Sequence, residues 1–193
     1  AENAQSDESN TCWRATAWRN ERVHGQFVVW SSDPIPQLRL SATALRNERG
    51  AEIPASAVVP RFVRYVLADK KPMGDILDTA ERVDLPPGGF RPVWLTVSVP
   101  ARAKPGLYRG TLTVTGAGGR HLPFPLELKV LDARLPDPAE WAFYLDLWQH
   151  PWAVARYHGV EPFSPEHYRF LEPIYRELGN AGQKTLTVTI TDL

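Results

Sequence analysis

With 193 residues, the chain has room for one well-buried domain, or for one domain and part of a second. Its 22 Lys and Arg cancel its 22 Asp and Glu, and no apolar run approaches the roughly 18 residues of a transmembrane helix. Nucleic-acid partners and a membrane span are therefore excluded from the expectation, and the charge balance points to a neutral partner.

The opening residues 1–11 are polar and small, without the basic and apolar regions of a signal peptide. They fit the mature end left after cleavage, and the expected location is extracellular or periplasmic. Residues 1–17 are read as a flexible N-terminal tail. The single cysteine, Cys12, can form no intrachain disulfide and is expected to be a passive thiol.

From 18 to 133, short β-rich runs are split by Pro and Gly, which predicts a two-sheet antiparallel β-sandwich. Strands are expected over 26–30, 37–45, 61–67, 93–99, 108–115 and 125–131. In the run from Val93 to Val99 every odd position is apolar, so one face packs inward while Thr96 and Ser98 face out. Trp94, Leu112 and Val114 are expected in the core. Gly116-Ala117-Gly118-Gly119 supplies the turn of a hairpin. Residues 69–92, with Pro86-Pro87-Gly88-Gly89, read as a long surface insertion.

Leu135-Pro136-Asp137-Pro138 blocks both helix and ladder, so a linker is placed at 134–140. Beyond it, a strand at 141–148, a loop, a helix and a second strand at 185–191 make one parallel crossover. Ser164 is the expected helix cap and Pro165 the first helical residue. Leu171, Ile174, Tyr175 and Leu178 form its apolar stripe, and Gly182 marks its end. In both strands an apolar face opposes a polar one: Phe143, Leu145 and Leu147 against Asp146, Trp148 and His150, then Leu186, Val188 and Ile190 against four threonines. That division favours the polar interior of a barrel over a doubly wound sheet. Residues 141–193 are thus expected to be the first β-α-β of an incomplete (β/α)8 catalytic barrel.

Two sets of motifs carry a family resemblance. The first comprises Trp18-Arg19-Asn20-Glu21-Arg22, Gln26 and Trp30, Gly74-Asp75-Ile76-Leu77, the run Pro92 to Pro100, and Pro105-Gly106-Leu107-Tyr108-Arg109-Gly110. The last of these is shared by many sandwich modules of bacterial hydrolases. The second, more telling set is Asp146-Leu147-Trp148-Gln149-His150-Pro151, Ala153-Val154-Ala155-Arg156-Tyr157 and Ala181-Gly182-Gln183-Lys184. Together they resemble the N-terminal sandwich and the opening of the catalytic barrel of glycoside hydrolase family 123.

The resemblance implies exo-cleavage of terminal β-linked N-acetylgalactosamine, the substrate's acetamido group serving as nucleophile in a retaining, substrate-assisted reaction. It also implies an adjacent Asp-Glu pair, the Asp orienting the acetamido group and the Glu acting as acid and base. The only such neighbours here are Asp7-Glu8 in the polar tail, so no catalytic residue is assigned within the chain. The pair is expected beyond Leu193, with the remaining barrel strands supplied by the same protein or another chain, and residues 1–193 alone are expected to be inactive.

Trp148 and His150 share a face near the C-terminal end of the first strand, where barrel sites are built. An indole can pack on a sugar face and an imidazole can hydrogen-bond a hydroxyl, so both are candidate substrate contacts, set against a role in lining the junction. Gln149 and Asp192 lie at the same strand ends and join them as candidates, with Trp152 and Thr191 nearby; Asp192 could equally cap a following helix. The five histidines lack helical ligand spacing and no Gly-x-Ser-x-Gly elbow exists, so neither a metal, a cofactor nor a serine triad is expected. Two rival functions remain: a carbohydrate-binding module, supported by seven Trp and six Tyr, and a structural sandwich without a ligand.

Overall fold

A computed structural model describes residues 12–119 and 121–186. The chain divides into two compact units, residues 1–135 and 136–193.

The first unit is the expected β-sandwich. One sheet joins β1 (Trp13–Arg19), β11 (His121–Arg134), β10 (Gly106–Thr115), β3 (Ile35–Ala42) and β8 (Val83–Leu85) in that order, with β4 (Leu45–Asn47) on β10 and β5 (Glu52–Ile53) on β4. The other runs β2 (Arg22–Trp30), β9 (Phe90–Ser98), β6 (Val58–Ala68) and β7 (Lys71–Leu77). Within this unit the described strand pairings are antiparallel except that of β1 with β11, which is parallel and aligns Trp13 with Leu126.

The alternation along β9 holds: Val93, Leu95, Val97 and Val99 are buried between the sheets. Each fully buried side chain of this kind contributes about 1.5–3 kcal/mol relative to an exposed one. Leu112 and Val114 are buried with them. Trp94 is not in the core. Its even position in β9 puts it on the outer face with Thr96, where its indole N–H donates to His24 Nδ1 at 3.1 Å.

The short β4 and β5 fall almost wholly outside the expected strands, and β1, β7 and β8 depart from the expectation altogether. The tail expected to reach residue 17 gives way to β1 at Trp13, whose inward positions are Trp13, Ala15 and Ala17; the two small alanines carry little periodic signal. The insertion at 69–92 contains β7 and β8. The two-residue turn between β6 and β7 is Asp69-Lys70, both with positive φ (49° and 64°), in place of the Asn-Gly that usually announces such a turn. Every residue of β7 is exposed, so no alternation marks it as a strand.

The motif around Tyr108 acquires a physical meaning. Tyr108 is fully buried and its hydroxyl donates to the Lys104 carbonyl at 2.8 Å, while Gly110 passes so close to β4 that a Cβ would meet Leu45 Cδ2 at 2.5 Å. The Tyr anchors the entry to β10, and the glycine lets β4 lie against it.

In the second unit, α2 (Pro165–Asn180) starts as expected: the Ser164 Oγ accepts the His167 N–H at 3.2 Å. Leu171 is buried, Tyr175 and Leu178 are half-buried, and Ile174 stays largely outside. Pro173 interrupts the helix ladder from the exposed side, where its missing N–H can be tolerated. The segment expected as a loop contains α1 (Pro151–His158), which ends at Gly159 with φ 66°. Eight residues bounded by Pro and Gly are too short for a clear helical period.

No strand forms at 141–148: the segment is irregular, bends at 142–143 and makes a single parallel bridge, Leu145 to Gln183. Most of its expected partner, 187–191, lies outside the described residues.

Candidate functional site

The residues that carry chemistry in the second unit gather where the irregular segment after Leu145 meets the turn following α2. That turn is built on Gly182, whose φ of 99° suits glycine and where a Cβ would meet the Trp141 ring at 2.7 Å. The Gln183 N–H returns to the Leu178 carbonyl at 3.0 Å, so the chain leaves the helix in a defined direction. Lys184 Nζ then donates to the Trp141 carbonyl. Gly182, Gln183 and Lys184 thus each touch the segment 141–149.

Gln183 makes the central connections. Its Oε1 accepts the Leu147 N–H at 3.3 Å, and its Nε2 donates to the Thr185 carbonyl at 2.7 Å and to Gln149 Oε1 at 3.4 Å. Trp148 is 83% exposed, and its indole N–H reaches Asp146 Oδ2 at 3.2 Å. The two-residue spacing lets the carboxylate reach the indole from its own stretch of chain. The carboxylate holds the ring by its polar edge and leaves its faces to solvent, a surface suited to the apolar face of a pyranose.

His150 has turned to another task. Its Nδ1 accepts the Ala153 N–H at 3.1 Å, so the imidazole caps α1. An imidazole can do this only with Nδ1 unprotonated, which leaves Nε2 as the ring's other hydrogen-bonding atom. Trp152 is half-buried and packs edge-on against Phe163 at 5.2 Å, a packing role. Asp192 and Thr191 lie outside the described residues. Of the expected site residues, then, Trp148, Gln149 and His150 are brought onto one short stretch. Asp146 and Gln183 were not named as site residues by the sequence reading, although both lie in its motifs; nothing in linear spacing shows that Gln183 would reach back to Leu147 and Gln149.

Behind this stretch, His167 is fully buried. Its Nδ1 accepts the Phe163 N–H at 2.8 Å and its Nε2 donates to the Pro151 carbonyl at 3.0 Å. His158 stacks on Phe170 with centroids 3.7 Å apart, a second link between the helices. Burial raises the Tyr175 phenol above its ordinary value, and Tyr168 adds to the shift. Among the described residues, no three His, Cys, Asp or Glu side chains gather as a metal site, and no helix is long and apolar enough to cross a membrane.

The sandwich unit has a hollow of about 630 Å³ between its sheets, bordered by Trp13, Phe27, Val29, Leu112, Val114 and Phe124. Apart from the buried thiol of Cys12, the lining offers no acid or base to a reacting group.

Comparison with known proteins distinguishes the two units. Residues 1–116 match the glycoside hydrolase 123 N-terminal domain, and residues 148–193 match the glycoside hydrolase 123 catalytic domain. A solved family 123 glycoside hydrolase from Clostridium perfringens, studied for glycolipid glycan hydrolysis, is 25% identical with a TM-score of 0.84. The alignment covers 91% of this chain and 33% of that one, so the chain spans about a third of that enzyme's length. The ASH / PapD-like domain of human CEP192 is 13% identical over 65% of this chain and 84% of its own, with a TM-score of 0.38. The Pseudomonas aeruginosa CupB2 chaperone is 11% identical over 64% and 55%, with a TM-score of 0.35. Likeness at that level carries no functional weight. No curated protein matches the chain.

Proposed function

The chain belongs to glycoside hydrolase family 123, and from that premise we propose that it supplies the sandwich and the opening of the catalytic barrel to an exo-acting β-N-acetylgalactosaminidase. The observation that carries this reading is the match of 148–193 to the catalytic domain, coupled with the fit of 91% of the chain to the Clostridium perfringens enzyme. A free-standing carbohydrate-binding or structural sandwich would have no use for that second unit.

In this reading the substrate's acetamido oxygen attacks the anomeric carbon while an acid protonates the leaving oxygen; water then opens the cyclic intermediate with net retention. The acid pair lies downstream of Leu193. What this chain contributes is recognition: Trp148 gives the sugar a ring face to lie on, and Gln149 and His150 offer hydrogen-bonding groups beside it. The remaining barrel strands complete the site. The proposed location is extracellular or periplasmic.

The test is a comparison of aryl β-glycosides with the full-length protein. Release from the β-N-acetylgalactosaminide, none from the β-galactoside that lacks the acetamido group, and an initially β-configured product are expected. Equal turnover of the plain β-galactoside would contradict acetamido participation.

A further inference from the structure

We propose that Gln183 is a positioning residue which fixes the side-chain amide of Gln149, so that Gln149 presents its N–H groups to an acceptor oxygen on the sugar. The inference rests on the glycosidase reading for its ligand, but its first step is independent of any ligand.

The direction of each amide follows from groups that can only donate or only accept. The Leu147 N–H can only donate, so the Gln183 atom facing it at 3.3 Å is the oxygen. The Thr185 carbonyl can only accept, so the Gln183 atom facing it at 2.7 Å is the NH2 group. Two backbone groups therefore set the same orientation from opposite sides, and a flipped Gln183 would place like against like at both. With the NH2 end fixed, its remaining hydrogen is offered at 3.4 Å to Gln149, which must answer with Oε1. Gln149 is left with its own Nε2, a donor only. Backbone geometry is thus relayed through one side chain into the polarity of the next.

The consequence is a specificity statement. A neutral amide donor at Gln149, next in the chain to the exposed Trp148, suits a hydroxyl or amide carbonyl oxygen of a neutral sugar and discriminates against a group that can only donate. Gln183 itself touches backbone and Gln149, and so acts through its neighbour.

The test is a double-mutant cycle in the full-length protein with Gln149→Glu, Gln183→Ala and the pair. Gln149→Glu keeps an oxygen toward Gln183 and replaces the donor with an acceptor. It is expected to lower kcat/KM about tenfold, with little change in Tm. Gln183→Ala is expected to lower kcat/KM by a similar factor. The pair should lose no more than the worse single variant, because Gln183 has nothing left to orient. The cycle is read on whichever aryl glycoside in a panel of hexosides and N-acetylhexosaminides the parent cleaves, so a wrong sugar assignment leaves it intact. Coupling in Tm between Gln183→Ala and Gln149→Ala, each of which removes the shared hydrogen bond, gives a readout without turnover. Multiplicative losses in kcat/KM, or Tm shifts that simply add, would overturn the relay.

Discussion

His167 Nε2 donates to the Pro151 carbonyl at 3.0 Å, so the first turn of α2 holds the first turn of α1. Since Nδ1 of the same buried ring accepts the Phe163 N–H, both nitrogens are spent inside the unit. His167→Leu should leave the Phe163 amide unpaired, at about 1–3 kcal/mol if water cannot reach it, and strip the Pro151 carbonyl of its bond beyond the helix ladder. Limited proteolysis should then cut first near α1, with the sandwich resistant. Unchanged resistance there would show that the ring is replaceable.

Tyr108 gives the corresponding anchor in the sandwich. Tyr108→Phe removes the hydrogen bond to Lys104 and should cost about 1 kcal/mol in denaturant unfolding. Burial also raises the Tyr108 phenol above its ordinary value of 10.0. In alkali the unfolded chain loses this proton first, so stability is fully present below that ordinary value and is lost as pH rises toward the higher folded value. The parent should therefore lose stability above about pH 10 more steeply than Tyr108→Phe does. Identical slopes would remove Tyr108 from the account.

At Gly25 in β2 a Cβ would lie 2.4 Å from Trp13 Nε1 of β1. Gly25→Ala should displace the indole and cost about 1–3 kcal/mol of strain. In a Trp13→Phe background, the smaller ring should relieve most of that cost. Additive effects of the two changes would place the strain elsewhere.

Trp148 and His150 separate by kind. Trp148→Ala removes an exposed ring and should weaken substrate turnover without lowering Tm. His150→Ala removes a helix cap and should lower Tm as well, by the equivalent of about 0.5–2 kcal/mol. Parent-like kinetics in both variants would move the sugar site wholly to the strands beyond this chain.

How far the fold could be read from the sequence depended on how each residue announces its surroundings. Val93, Leu95, Val97 and Val99 occupy every odd position, with Thr96 and Ser98 between them, so β9 was legible down to its inward face. By the same alternation Trp94 belonged outside; its size argued for burial, and the strand parity decided the matter. β7 was illegible because all its side chains are exposed and its turn is made by Asp69-Lys70 instead of glycine. In the second unit, the cap and stripe of α2 were readable from Ser164 and Leu171 because helix signals are local. The relay from Gln183 to Gln149 spans 34 positions and depends on a turn set by Gly182, so only the folded chain reveals it.

The most direct test compares residues 1–193 with the full-length protein on an aryl β-N-acetylgalactosaminide, with rates normalised to protein concentration. The full-length protein should release the aglycone, and residues 1–193 should release none, because the proposed function assigns sugar contacts to Trp148 and Gln149 and the catalytic Asp-Glu pair to a later barrel strand. Turnover by residues 1–193 themselves would contradict the account and require the acid to be sought among the carboxylates already in view.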